Sequence, residues 1–122
     1  MKKQILIADE EGFGRICAAL LEQEGYGTDV VSDVHRLQAI ENCGDFDLVI
    51  TSYPYGKAFI ERLIDTGVPV IILSDRMSRE LMSMFGHFDQ TQSHCMIKPV
   101  DYRSFRALVN RTMGRSGGRM DQ

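Results

Sequence analysis

Five short apolar runs, each followed by a stretch with helical spacing, constrain this chain more than any other feature. The first, Ile5-Leu6-Ile7-Ala8, is continuous rather than alternating, as a strand buried on both faces requires. Phe46 to Thr51 and Pro69-Val70-Ile71-Ile72-Leu73 have the same character, with Pro69 at the first strand position, where proline is tolerated. Thr28-Asp29-Val30-Val31 and Cys95-Met96-Ile97 are weaker strands. Between them the apolar residues change period. Phe13, Ile16, Cys17, Leu20 and Leu21 predict a first helix, stopped at Gly25. Val34, Leu37 and Ile40 predict a second, capped by Ser32 or Asp33. Ala58, Phe59, Arg62 and Leu63 predict a third, ended by Gly67. Residues 78–88 predict a fourth, and Tyr102, Phe105, Leu108 and Val109 a fifth.

Strand and helix in strict alternation imply a parallel sheet with helices on both faces. Right-handed crossovers leave few ways to connect it. The expected fold is therefore α/β, a flavodoxin-like (βα)5 doubly wound sheet with strand order 2-1-3-4-5. At 122 residues the chain suits one domain, expected over 1–113, with 114–122 as a flexible C-terminal tail lacking any apolar pattern.

Composition excludes several functions. A net charge of −3 gives no global basic field, so nucleic acid is not an expected partner. Arg103, Arg106, Arg111, Arg115 and Arg119 make the last residues basic, which reads as a solvated helix face and tail. Cys17, Cys43 and Cys95 are odd in number and widely spaced, which argues against a disulfide framework or zinc site. No apolar run approaches the roughly 18 residues of a membrane span. The opening Met1-Lys2-Lys3-Gln4 leads into an apolar run too short for a signal peptide. The cytoplasm is the expected location.

In open parallel sheets a site forms beyond the carboxyl ends of the strands, where the strand order reverses. That rule gathers Asp9 and Glu10 after the first strand, Ser52 after the third, Ser74 after the fourth and Lys98 after the fifth. Adjacent carboxylates at a strand end repel unless a cation lies between them, and magnesium suits such oxygens. Acids in this place also suit the start of the next helix, and the residues alone leave both readings open.

Asp9-Glu10, the strand ending at Ser52, Ser74 and Lys98-Pro99 together resemble the receiver domain of two-component response regulators over nearly the whole chain. The resemblance implies a CheY-like signalling module of a bacterial phosphorelay, with Asp9 and Glu10 as the metal acids. It implies that Ser52 holds the phosphoacceptor position, Ser74 the hydroxyl switch, and Lys98 the charge-stabilising lysine before a cis Lys98–Pro99 bond. Cys95 holds the place of the family's aromatic switch.

Several departures change what this module could do. The family's acceptor is an aspartate, whereas a serine hydroxyl is a poor nucleophile at neutral pH without a base. Aspartyl phosphorylation at Ser52 is therefore excluded, and magnesium, deprived of a charged ligand, is expected to bind only weakly. Asp47 precedes its strand and belongs at the opposite end of the sheet. Ser52-Tyr53-Pro54-Tyr55-Gly56 reaches its glycine sooner than the family's loop does. Tyr53 and Tyr55 read equally as a tight proline turn or an aromatic contact surface. Cys95 cannot swing as a large ring does. Lys98 is expected to meet Asp9 or Glu10 instead of an acceptor, and Tyr102 to pack the last helix on the sheet. Met77, Met82 and Met84, with Phe85 and Phe88, read as core that could also adapt to a partner.

The expectation is a divergent pseudo-receiver that is not an enzyme and acts by protein–protein interaction. Its partners would be a sensor kinase or a downstream regulator, or a second copy through helices 4 and 5. Two alternatives are a ligand- or cofactor-binding flavodoxin-like domain or small enzyme, and an ordinary receiver with an engineered Ser52. Against the first, Glu11-Gly12-Phe13-Gly14 is an incomplete phosphate loop. Against the second stand the short loop and Cys95.

Overall fold

The computed structural model describes residues 2–114, apart from the side chain of Val34. The expected tail lies outside the described residues beyond Gly114. The elements in order are β1 (Gln4–Ala8), α1 (Glu11–Gln23), β2 (Gly27–Val31), α2 (Val34–Gln38), a 3-10 turn (Cys43–Asp45), β3 (Leu48–Tyr53), α3 (Lys57–Leu63), β4 (Val70–Ser74), α4 (Arg79–Phe85), β5 (His94–Ile97) and α5 (Tyr102–Thr112). The strands pair in parallel as β2-β1-β3-β4-β5. This is the expected flavodoxin-like order.

The continuous apolar runs are explained by what lies on each face. Leu6, Val49, Val70 and Ile72 pack on one side with Phe59 and Leu63 of α3 and Leu81 of α4. Ile5, Ile7, Ile50, Ile71 and Leu73 pack on the other with Cys17 and Leu21 of α1 and Phe105 and Val109 of α5. Alternate side chains of one strand thus enter different cores. Full burial of each such side chain contributes roughly 1.5–3 kcal/mol, so β1, β3 and β4 supply much of the driving force.

Three local expectations are corrected. The second helix is five residues long, with the Asp33 carboxylate accepting from the His35 amide at its start. Its carboxyl end is held from outside: Arg62 donates to the Leu37 carbonyl at 2.9 Å and to the Ile40 carbonyl. A single helical turn cannot satisfy its own last carbonyls, and the guanidinium does so. Tyr102 is 40% exposed rather than packed on the sheet, while Phe105 one turn later is fully buried. Tyr102 is the first residue of α5 and precedes the stretch of that helix that meets the core. The strand expected from Phe46 begins at Leu48, because Cys43–Asp45 form the 3-10 turn immediately upstream.

The short connection from β3 to α3 depends on Gly56. A Cβ there would lie 2.5 Å from Thr51 Oγ1 and 3.2 Å from the Ser52 carbonyl oxygen. Thr51 is fully buried, and its hydroxyl has no hydrogen-bond partner among the described residues. Gly56→Ala is expected to destabilise the domain by about 1–3 kcal/mol through this overlap. Thr51→Ala removes the obstructing atom, so a double-mutant cycle read by urea unfolding should show the two changes coupled rather than additive.

Candidate functional site

The parallel order places the carboxyl ends of β1 and β3 side by side, with Ala8 opposite Thr51. Asp9 and Ser52, the next residue on each strand, meet there. The Ser52 hydroxyl donates to one oxygen of the Asp9 carboxylate, and the Glu10 amide donates to the other at 2.7 Å. Asp9 is 1% exposed and Ser52 2% exposed. A buried carboxylate costs several kcal/mol unless it is hydrogen-bonded, and here each oxygen has a donor from its own chain. The acids do not cap α1: Glu10 occupies the cap position, yet no side chain accepts from the first turn.

Lys98 does not meet either acid. Its ammonium lies over the Phe13 ring, 5.2 Å from the centroid. Among the described residues no carboxylate is within ion-pair distance of it. The ammonium is held by the negative face of the ring instead. Phe13 is the residue the sequence reading missed, having been assigned only to the core stripe of α1. Its one signal is its position, a single turn after the acids. The Lys98–Pro99 peptide is cis, and so is Tyr53–Pro54.

Ser74 is buried at the end of β4. Its hydroxyl donates to the Arg76 carbonyl at 2.8 Å, closing a local turn, whereas α4 is capped by Ser78. Asp47 lies at the far end of the sheet, where its carboxylate accepts from the Gln4 amide at 2.7 Å. Cys95 is partly buried against the core below α4, and burial pushes its thiol up to about 11. The neighbouring His94 is lowered, by burial first and then by Arg111.

The tyrosines of the short loop brace it in two directions. Tyr55 donates to the Ser32 carbonyl in the β2–α2 connection. Its phenol is raised by burial first, then by the carboxylates of Asp9, Glu10 and Asp33. Tyr53 donates to Glu80 on α4, and Lys57 at the start of α3 donates to the same carboxylate at 2.7 Å. The loop between β3 and α3 is thus tied to both of its neighbours.

The donor set is a poor match for a divalent cation. Asp9 offers one carboxylate, each oxygen of which already accepts one hydrogen bond, Ser52 offers a neutral hydroxyl, and Glu10 is exposed. Among the described residues no group of three His, Cys, Asp or Glu is placed to hold a metal ion. The arrangement holds a buried carboxylate past the end of β1 and a partly buried ammonium over Phe13, and does not pair them.

No protein-family model matches this sequence, and no curated protein sequence does. Solved structures do match. The non-phosphorylated HemR receiver domain from Leptospira biflexa superimposes with a TM-score of 0.76 at 18% identity, over 98% of this chain and 100% of that one. The fold is that of receiver domains. A two-component response regulator from Clostridium difficile gives 0.74 at 14% identity, over 93% of this chain and 98% of that one. A CheY-like receiver domain protein from Methanospirillum hungatei JF-1 gives 0.72 at 18% identity, over 93% and 95%. At such identities the likeness establishes the receiver fold, and fold alone does not assign function. Among the described residues no helix is long and apolar enough to cross a membrane.

The buried charge has a measurable consequence at Cys17, which is fully buried in α1. Its thiol is pushed up to about 12, by burial first and then by the Asp9 carboxylate, with Lys98 opposing. In the unfolded chain the thiol ionises near its ordinary 9.0. Between those values unfolding releases a proton, so stability is full below about pH 9 and falls as pH rises. Cys17→Ala is expected to flatten this alkaline loss, measured as the slope of the urea midpoint from neutral pH to about pH 10.

Proposed function

We propose that this chain is a receiver-like signalling module of a bacterial two-component system that is not phosphorylated on aspartate and acts through protein–protein contact. The observation that carries the reading is the Ser52–Asp9 hydrogen bond. In a fold shared with structures named as receiver domains, this chain has a buried hydroxyl bonded to the neighbouring acid. A serine so placed lacks the charge that a carboxylate acceptor offers to phosphorus and to metal. Lys98, parked on Phe13, is consistent with a site that has no acceptor charge to neutralise.

In this reading the module is a cytoplasmic non-enzyme. Ser52, Ser74, Cys95 and Lys98 occupy the acceptor and switch positions without performing the phospho-switch. Magnesium is held only weakly, through Asp9 and Glu10. Signal passes by a population shift that a partner induces, since any ligand with unequal affinity for two conformations moves their balance. The partner is a sensor kinase or a downstream regulator, or a second copy docking through α4 and α5. Met77, Met82, Ile97 and Tyr102 are the large apolar residues exposed there, and their exposure supports such a surface.

The test is an amide NMR titration with magnesium and then with beryllofluoride, a phosphoryl mimic. The expected result is small magnesium shifts confined to the neighbourhood of Asp9 and Glu10, with nothing added by beryllofluoride. A beryllofluoride response spreading to α4 and Cys95 would overturn the reading. A second measurement uses Ser52→Asp, which places a second carboxylate against buried Asp9. Two such charges repel unless a cation intervenes. This variant is expected to melt below the parent without magnesium and to recover on adding it, whereas the parent's melting temperature stays unchanged.

A further inference from the structure

A cleft of about 460 Å³ opens beside the site, lined by Tyr53 and Pro54 on one side and Ser74, Asp75, Arg76 and Ser78 on the other. Its volume falls within the range of small-molecule sites, roughly 300–1,000 Å³. Tyr53 joins this cleft to α4: the Glu80 carboxylate accepts from the Tyr53 phenol with one oxygen and from the Lys57 ammonium with the other. Arg76 has no ion-pair partner among the described residues. Of the two serine hydroxyls in the lining, Ser74 donates to the Arg76 carbonyl, whereas Ser78 accepts from the Leu81 amide and keeps its own proton to donate. The side-chain donors left to recognise a guest are Arg76, the Ser78 hydroxyl and the pair that Glu80 occupies.

We propose that this cleft binds a small organic carboxylate, and that Glu80 is an internal stand-in for the ligand's carboxyl group. Tyr53 and Lys57 already form a two-donor seat for one carboxylate, with bonds from a phenol and an ammonium. Charge-assisted bonds of this kind are stronger than neutral ones. The Lys57–Glu80 pair is half exposed, at 44% and 50%, so water and salt screen it and Glu80 is readily displaced. The Tyr53 and Pro54 rings give an apolar wall for the body of the guest.

Charge selects the class of guest. Lys57 and Arg76 balance Glu80 and Asp75. A monocarboxylate that displaces Glu80 adds a single negative charge to this group, whereas a dianion adds two and leaves Asp75 facing the larger excess. The cleft is therefore expected to prefer a monocarboxylate to a phosphate monoester. Displacement of Glu80 would also untie α4 from the β3–α3 loop, and that coupling holds whether or not the chain acts in signalling.

The experiment is an amide NMR titration of the full chain with benzoate, phenyl phosphate and inorganic phosphate. Benzoate is expected to shift Tyr53, Lys57 and the amides of Ser74 to Ser78, and to bind more tightly than phenyl phosphate. Glu80→Gln removes the competing charge and is expected to tighten benzoate about fivefold, the equivalent of about 1 kcal/mol. Arg76→Ala, a change at an exposed position, is expected to weaken it by a similar factor. Four outcomes would each overturn the proposal: no shifts at benzoate concentrations well above millimolar, shifts confined to another face, equal or tighter binding of either phosphate, or a Glu80→Gln affinity equal to the parent's. Circular dichroism of both variants establishes that they are folded, so a lost response cannot be charged to unfolding.

Discussion

A carboxylate removed from water has to be satisfied by donors from its own chain, and in this protein that requirement falls on Asp9. It stands just past the end of β1, one of the inner strands of the sheet, with apolar cores on both faces below it. The Ser52 hydroxyl and the Glu10 amide take one oxygen each. Much else at this end of the sheet follows. Lys98 pairs with no carboxylate among the described residues and rests over Phe13. Cys17, on the same side of the sheet, keeps its proton to unusually high pH in part because the Asp9 charge is near.

The loops around that carboxylate are braced by long side chains rather than by regular structure. Tyr53, Tyr55 and Arg62 each reach an element 22 to 27 residues away in sequence. Their bonds end on Glu80, the Ser32 carbonyl, the Leu37 carbonyl in the last turn of α2 and the Ile40 carbonyl just beyond it. The β3–α3 connection is short, so it has little freedom of its own. It makes its approach to Thr51 only because Gly56 carries no side chain. A loop tied in this way moves with its neighbours, and a guest or partner that breaks one tie is felt at α4.

The fold was largely legible from periodicity. Continuous apolar runs in β1, β3 and β4 and helical spacing in α1 and α5 predict elements that the structure contains. Strand order then follows from chain handedness and the alternation of elements. The weaker parts of the pattern were the ones displaced. α2, with only three apolar positions to recommend it, is a single turn held by Arg62, and Tyr102 lies outside the stripe it was assigned to. At the site, the sequence supplied the residue types at each strand end, and the sheet's topology brought Asp9 to Ser52. The partners of Lys98 and of the loop tyrosines were not legible, because no short-range spacing encodes where a long side chain ends.

By itself, then, the amino-acid sequence determined a five-stranded parallel sheet and placed a serine, not an acid, at the end of its third strand. Both are local properties: burial on two faces demands unbroken apolar runs, and a strand end is a position in the chain. Only the tertiary structure decided that this serine bonds to Asp9, that Lys98 rests on an aromatic ring, and that Glu80 occupies a seat beside an open cleft. Those contacts join residues 23 to 85 positions apart in the chain. Each was decided by which donors and acceptors remained unsatisfied once the sheet had brought the loops together.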